Sequence, residues 1–187
     1  MIHHYKNIHP QIDPSAFVAK NATVIGDVII GEQSSIWFSA VIRGDVSPTK
    51  IGNRVNIQDL SLIHQSPDIP VIIEDDVTIG HQVTIHSATI RNNALIGMGS
   101  IILDGAEIGP YSHLRPKAEI GENAYIGAGS LVPPGKKIPP HTLAFGRPAK
   151  VVRKLTEKDY EEMDRIRTSY YEKADYYKRH TTLDQNK

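Results

Sequence analysis

Three of the chain's nine histidines, His64, His81 and His86, fall close together in the stretch from Asn56 to His86, which also carries Gln58 and several carboxylates. Imidazole is a good ligand for zinc and its neighbours. Three imidazoles on one ion leave a position open for water, which zinc brings to a pKa of about 7. The chemistry on offer is attack of hydroxide on an electrophilic carbon. A lone histidine would read as a surface group making ordinary hydrogen bonds. The spacing argues otherwise: His64 follows Ile63, His86 follows Ile85, and these isoleucines belong to the series Ile51, Ile57, Ile63 and Ile73, Ile79, Ile85, each stepping by six.

The six-residue step runs through most of the chain. Val18, Val24, Ile30, Ile36 and Ile42 keep it, and a segment with Gly44, Ser47 and Pro48 is expected to interrupt as a loop. Gln65–Pro70 is a second expected loop. After a five-residue step from Ile85 to Ile90, the series continues as Ile96, Ile102, Ile108, Leu114, Ile120, Ile126, Val132 and Ile138, often with glycine after the isoleucine. Helices repeat at 3.6 residues and isolated amphipathic strands at two. A period of six means short strands joined by tight corners, three to a coil, with aliphatic side chains stacked inside: a parallel β-helix. Residues 1–152 form this domain. In residues 153–180 Met163, Ile166, Tyr170, Ala174 and Tyr177 recur at helical spacing behind a Thr156/Asp159 start signal, so a C-terminal α-helix should lie along the coils. Residues 181–187 form a polar tail.

Counting along the repeat gives geometry. From Ile63 to Ile85 is one coil plus a four-residue loop excess, so His64 and His86 should stack on one face at about 4.8 Å strand spacing. Arg43 falls in the same column. Gln58 lies on the adjoining face, with Trp37 above it and Gly80-His81 below. His81 leaves from a different face, so a neighbouring copy would supply it, and a three-sided prism assembles naturally with cyclic symmetry. The expected metal site is therefore at a subunit interface.

Composition sets bounds. Lys plus Arg equals Asp plus Glu at 21 each, without a block of like charge, so neither nucleic acid nor a membrane surface is an expected partner. There is no cysteine, hence no thiolate chemistry. No signal-peptide core and no membrane-spanning run is present, and a cytoplasmic protein is expected.

The residues Trp37–Asp45 (WFSAVIRGD), Asn56–Asp59 (NIQD), His64, Gly80-His81, His86, Gly97–Ser100, Asp104–Ala106 and Gly127–Ser130 resemble the γ-class carbonic anhydrases over nearly the whole chain. The resemblance implies an all-β left-handed parallel β-helix of hexapeptide repeats with a C-terminal α-helix, assembled as a homotrimer. It implies that His64 and His86 of one subunit and His81 of its neighbour bind Zn2+, or Fe2+ or Co2+, and that the substrate pair is CO2 and bicarbonate. Gln58 would orient the metal-bound hydroxide and Asn56 support the substrate. Arg43, Asp45 and Asp59 resemble the family's interface and active-site network. Tyr170 matches a helix tyrosine that approaches the metal pocket, although packing explains it equally well.

Two departures from that pattern stand out. The acidic loop that carries proton-shuttling glutamates in active members is here only Gln65–Pro70, with Asp68 its sole acid. The segment 108–119 adds twelve residues, two-thirds of a coil; because it keeps the six-residue step it is expected to be coil, and unless the structure absorbs the change everything downstream, the helix with Tyr170 included, leaves from a different face. Within it, Gly109–Pro116 also resembles a segment of bacterial acetyltransferases acting on glucosamine 1-phosphate, in which the arginine matching Arg115 contacts substrate. Two other readings follow from the repeat itself: a hexapeptide-repeat acyltransferase, suggested also by Gly146–Lys150 (GRPAK), and a non-catalytic metal-stabilised trimeric scaffold.

Overall fold

The structure, a computed structural model, describes residues 1–104, 122–180 and the backbone of 118–120. Strands of two or three residues turn through three faces and pair in parallel with the strand one coil away. The first face stacks Phe17–Val18, Ser35–Ile36, Asn56–Ile57, Thr78–Ile79, Leu95–Ile96, Tyr125–Ile126 and Thr142–Phe145, and the antiparallel strand Lys150–Lys154 closes it. Leu62–His64, Thr84–His86, Ile101–Ile102 and Leu131–Val132 form the second face; Val71–Ile73, Ala88–Ile90, Ala118–Ile120 and Lys137–Ile138 form the third. In the first coils, Thr23–Ile30 and Val41–Ile51 run continuously across both of these faces. The inward columns are the predicted ones: Ile36, Ile57, Ile79, Ile96 and Ile126 are fully buried on one face, as are Ile42, Ile63, Ile85 and Ile102 on the next.

The corners are made by residues with positive φ that also recur at steps of six: Gln33 and Ser39, Arg54 and Leu60, Asp76 and Gln82, Asn93 and Gly99, then Asn123, Gly129, Gly135 and His141. Polar residues that tolerate this conformation fill most of these places. The glycines that follow the isoleucines do different work. A Cβ on Gly97 would lie 2.6 Å from the backbone nitrogen of Ala128 in the next coil. These glycines let backbones approach.

Two expectations are corrected. The segment with Gly44, Ser47 and Pro48 is part of the continuous strand Val41–Ile51, not a loop. The extra residues are absorbed by a register shift: Gly26 pairs with Gly44, then Val28 with Thr49. Gly44 is required there because a Cβ would meet the carbonyl oxygen of Asp27 at 2.3 Å. The downstream coils, moreover, do not rotate. Ile90 pairs with Ile120, Leu95 with Tyr125, and Ile102 with Val132, so each face continues in place across the added twelve residues. Residues 105–117, which include Ile108, Leu114, Arg115 and the whole acetyltransferase-like segment, lie outside the described residues, as does the tail 181–187.

Helix α1, Glu157–His180, lies along the first face. Met163 and Ala174 are buried, and Tyr170 and Tyr177 meet an aromatic cluster on the early coils. Trp37 sits edge-on to both tyrosines, at 5.2 Å from Tyr170 and 5.5 Å from Tyr177, and 5.3 Å from Phe17. Such ring pairs contribute about 0.5–1.5 kcal/mol each beyond their buried area. The helix start is a capping box: the Asp159 carboxylate accepts from the Thr156 backbone N–H at 2.6 Å and from its hydroxyl at 2.6 Å, and Arg153 holds the same carboxylate at 2.5 Å and 3.0 Å.

The Arg153 hydrogen bonds, with those of Thr156, hold the Asp159 carboxyl well below the usual carboxylate range. A depressed folded-state pKa gives stability that is fully present above the ordinary carboxylate value and is lost progressively as pH falls from there through the lowered one. Asp159→Ala should therefore destabilise the helix start by about 1 kcal/mol at pH 7. The difference from the parent should shrink in acid, as measured by urea unfolding at pH 7 and pH 3.

Candidate functional site

The repeat sets the histidines where the count placed them. His64 and His86 are direct cross-coil partners on the second face, with ring centroids 5.2 Å apart. Arg43 is the next residue up the column: its Nη2 is 2.9 Å from His64 Nε2 and its Nη1 donates to Asp45 at 3.1 Å. Asp45 Oδ1 is itself 3.2 Å from His64 Nε2. One coil below His86, Asp104 bonds its Nδ1, and Ser66 donates to the other carboxylate oxygen. Burial works to raise the Asp104 pKa, but the Ser66 and His86 hydrogen bonds outweigh it and hold the group below the ordinary carboxylate value.

A second group forms where α1 crosses the first face. Asn56 and Gln58 are buried and linked in a chain, Gln58 Nε2 donating to Asn56 Oδ1 at 3.0 Å and Asn56 Nδ2 to Thr78 Oγ1 at 2.8 Å. His81 stands at the corner with its Nδ1 2.8 Å from Asp59, and the Tyr170 hydroxyl lies 3.0 Å from its Nε2. Burial, with the negative Asp59 nearby, pushes the Tyr170 phenol above its usual value. Gln58, His81, Tyr125 and Tyr170 line one groove of about 290 Å³. Tyr170 thus both packs on Trp37 and reaches His81.

The nine residues singled out in the sequence therefore fall into two groups. Arg43, Asp45, His64 and His86 make one; Asn56, Gln58, Asp59, His81 and Tyr170 make the other. Among the described residues no three His, Cys, Asp or Glu side chains converge as a metal-binding set within the chain. The sequence reading named Asp104 only within the motif Asp104–Ala106 and gave it no role, and it did not single out Ser66. Counting does not point to Asp104, because the Ile85–Ile102 register is 17 residues and Asp104 lies 18 after His86. Ser66 sits in the short loop, where the six-residue count fails.

The donor chemistry suits a divalent ion. All three histidines have a carboxylate on one ring nitrogen: Asp45 on His64, Asp59 on His81, Asp104 on His86. Such partners fix the tautomer and leave the other nitrogen as a lone-pair donor. For His64 and His86 those donors, Nδ1 and Nε2, are 3.2 Å apart. The edge of a tetrahedron around zinc, at about 2.05 Å from each nitrogen, is about 3.3 Å. Without a cation, two facing lone pairs repel, and the pair is satisfied only if Arg43 instead donates to His64 Nε2 and His64 Nδ1–H donates to His86. Burial and the Arg43 charge push the His64 pKa down, keeping the ring neutral as a ligand must be.

No helix among the described residues is long and apolar enough to cross a membrane. Comparison with known proteins adds lineage. Residues 70–104 match the hexapeptide repeat of succinyl-transferase and residues 99–134 the bacterial transferase hexapeptide. The chain is 66% identical to a protein of Geobacillus kaustophilus named carbonic anhydrase, over 95% of this chain and 91% of that one. It is 68% identical to the Bacillus subtilis protein YtoA, named an uncharacterized transferase, over 95% and 97%. Gamma carbonic anhydrase 1 of Arabidopsis thaliana mitochondria is 38% identical over 86% of this chain and 56% of its own length. Among solved structures, a Bacillus cereus chain with a provisional acetyltransferase name is 62% identical, with a TM-score of 0.87 over 95% and 96% of the two chains. A hexapeptide transferase family protein of Anaplasma phagocytophilum is 37% identical, with a TM-score of 0.84 over 94% and 97%. The hexapeptide coils, the near-full-length identity and the relatives' names together assign the chain to the γ-class carbonic anhydrase family.

Proposed function

We propose that the chain is a metal-dependent carbonic anhydrase, interconverting CO2 and bicarbonate at an interface where His81 of one subunit joins His64 and His86 of the next in a homotrimer. The observation that carries this reading is the carboxylate behind each of the three histidines, spread over two groups that a single chain keeps apart. Zinc, or iron or cobalt in its place, would supply Lewis acidity that brings the ionisation of water into the neutral range.

The chain's own residues supply position and polarity. The Thr78–Asn56–Gln58 chain commits Gln58 Nε2 and leaves Gln58 Oε1 to accept a hydrogen bond from the attacking oxygen, turning a lone pair toward CO2. Arg43 carries a positive charge beside the histidine column, a suitable counter-charge for bicarbonate. Tyr170 closes the groove over His81 and restricts its water. The proton leaving the site has no acidic loop to receive it, and Asp68 is exposed on its turn.

The transferase names of YtoA and of the Bacillus cereus structure favour a second reading, a hexapeptide-repeat acyltransferase. Metal dependence separates the two. Stopped-flow CO2 hydration by metal-quantified protein should be fast and should vanish on chelation, whereas acyl transfer that survives chelation would favour the second reading. A metal-loaded trimer without turnover would leave the scaffold reading.

His81→Ala should lose bound metal, and so should His86→Ala. Mixed trimers of the two variants should regain a fraction of it, because one interface then has all three histidines. Metal analysis of co-refolded trimers checks this, and full occupancy in His81→Ala alone would sink the shared site. Asp104→Asn should weaken metal affinity about 10- to 100-fold with the trimer intact, read by competition with a chelating dye.

A further inference from the structure

The N-terminal turn holds another pair of histidines together, His4 and His9. Tyr5 and Ile8 exchange backbone hydrogen bonds, Tyr5 N to Ile8 O at 3.0 Å and Ile8 N to Tyr5 O at 2.9 Å. The two residues between them, Lys6 and Asn7, have φ values of 45° and 64°. Positive φ at both central positions is the tight two-residue turn that pairs its flanks most closely. His4 and His9 flank this single bridge on either side. Both arms are tethered to the first coil: Ile2–His3 pairs with Val24 and Ile25, and Gln11–Ile12 with Ile29 and Ile30.

The rings of His4 and His9 have centroids 5.0 Å apart and planes inclined at 37°. For His64 and His86 the figures are 5.2 Å and 50°. Two imidazoles on adjacent positions of one ion, with metal–nitrogen bonds of about 2.0–2.1 Å, place their centroids roughly 4.5–5.2 Å apart. Both side chains are exposed, so an ion reaches them from solvent. The Lys6 ammonium, the turn's own charge, lies over the Tyr5 ring.

We infer that His4 and His9 form a second metal site, a two-histidine clip for an imidazole-preferring divalent ion such as copper, nickel or zinc. The turn sets the spacing before the ion arrives, so little ordering cost is left to binding. Two protein ligands leave the remaining positions to water or to a donor from another molecule. The site is independent of the coil histidines and of the proposed activity.

The test uses full-length chain carrying His64→Ala and His86→Ala, which removes the coil pair. Cu2+ is the probe, because the affinity order of first-row ions peaks at copper. Calorimetric titration should find one tight Cu2+ per chain. His4→Ala or His9→Ala should each weaken it at least tenfold, and the nitrogen hyperfine pattern in the copper spin-resonance spectrum should lose one imidazole. His3→Ala should keep the affinity. These residues are exposed, so the melting temperature should be unchanged in every variant. Unaltered binding in His9→Ala would overturn the proposal, and so would an equal loss in His3→Ala, which would assign the ion to His3.

Discussion

The hydrogen-bonded register between successive coils is the constraint on which everything else rests. Most strands are only two or three residues long, too short to be stable alone. Their backbone groups are satisfied by the coils above and below, which also bury their isoleucines. A residue is therefore locked to the residue one coil away, whatever lies in the loops between. That lock puts His86 under His64 across a 22-residue separation. The same pairing holds across the added residues, where Ile120 stands under Ile90.

The same lock separates the functional side chains. Residues just after an inward isoleucine point outward, so each face displays its own column, and a three-sided coil cannot bring columns from different faces to one point. Arg43, His64 and His86 share a column; Gln58 belongs to another, and His81 stands at the corner between them. The chain answers with second partners for each histidine rather than with a complete cluster. The carboxylates of Asp45, Asp59 and Asp104 prepare three lone pairs that no single subunit collects. Helix α1 completes one of these groups from outside the repeat. Trp37 anchors Tyr170 and Tyr177, and the anchored helix delivers the Tyr170 hydroxyl to His81.

The relatives' names divide between carbonic anhydrase and transferase. The coil explains the division physically, since a stack of hexapeptide coils is a scaffold that carries unrelated chemistries in side chains placed on its outer columns. This chain places three imidazole–carboxylate pairs on those columns and corners.

The six-residue step by itself determined the parallel β-helix, its inward columns and the stacking of His64 on His86, because register in a coil is a matter of counting. The capping box and the helix stripe were legible for the same reason: both are local patterns. Tertiary structure decided what counting could not. It made Val41–Ile51 a continuous strand with a register shift, since pairing with Thr23–Ile30 outweighs the turn preference of Gly44, Ser47 and Pro48. Across the added residues it kept the faces aligned, pairing Leu95 with Tyr125 and Ile102 with Val132. Ser66 joined Asp104 through a loop whose path no repeat dictates. Finally, it brought His4 to His9, because that pairing depends on two positive φ angles at Lys6 and Asn7, residues whose types do not demand them.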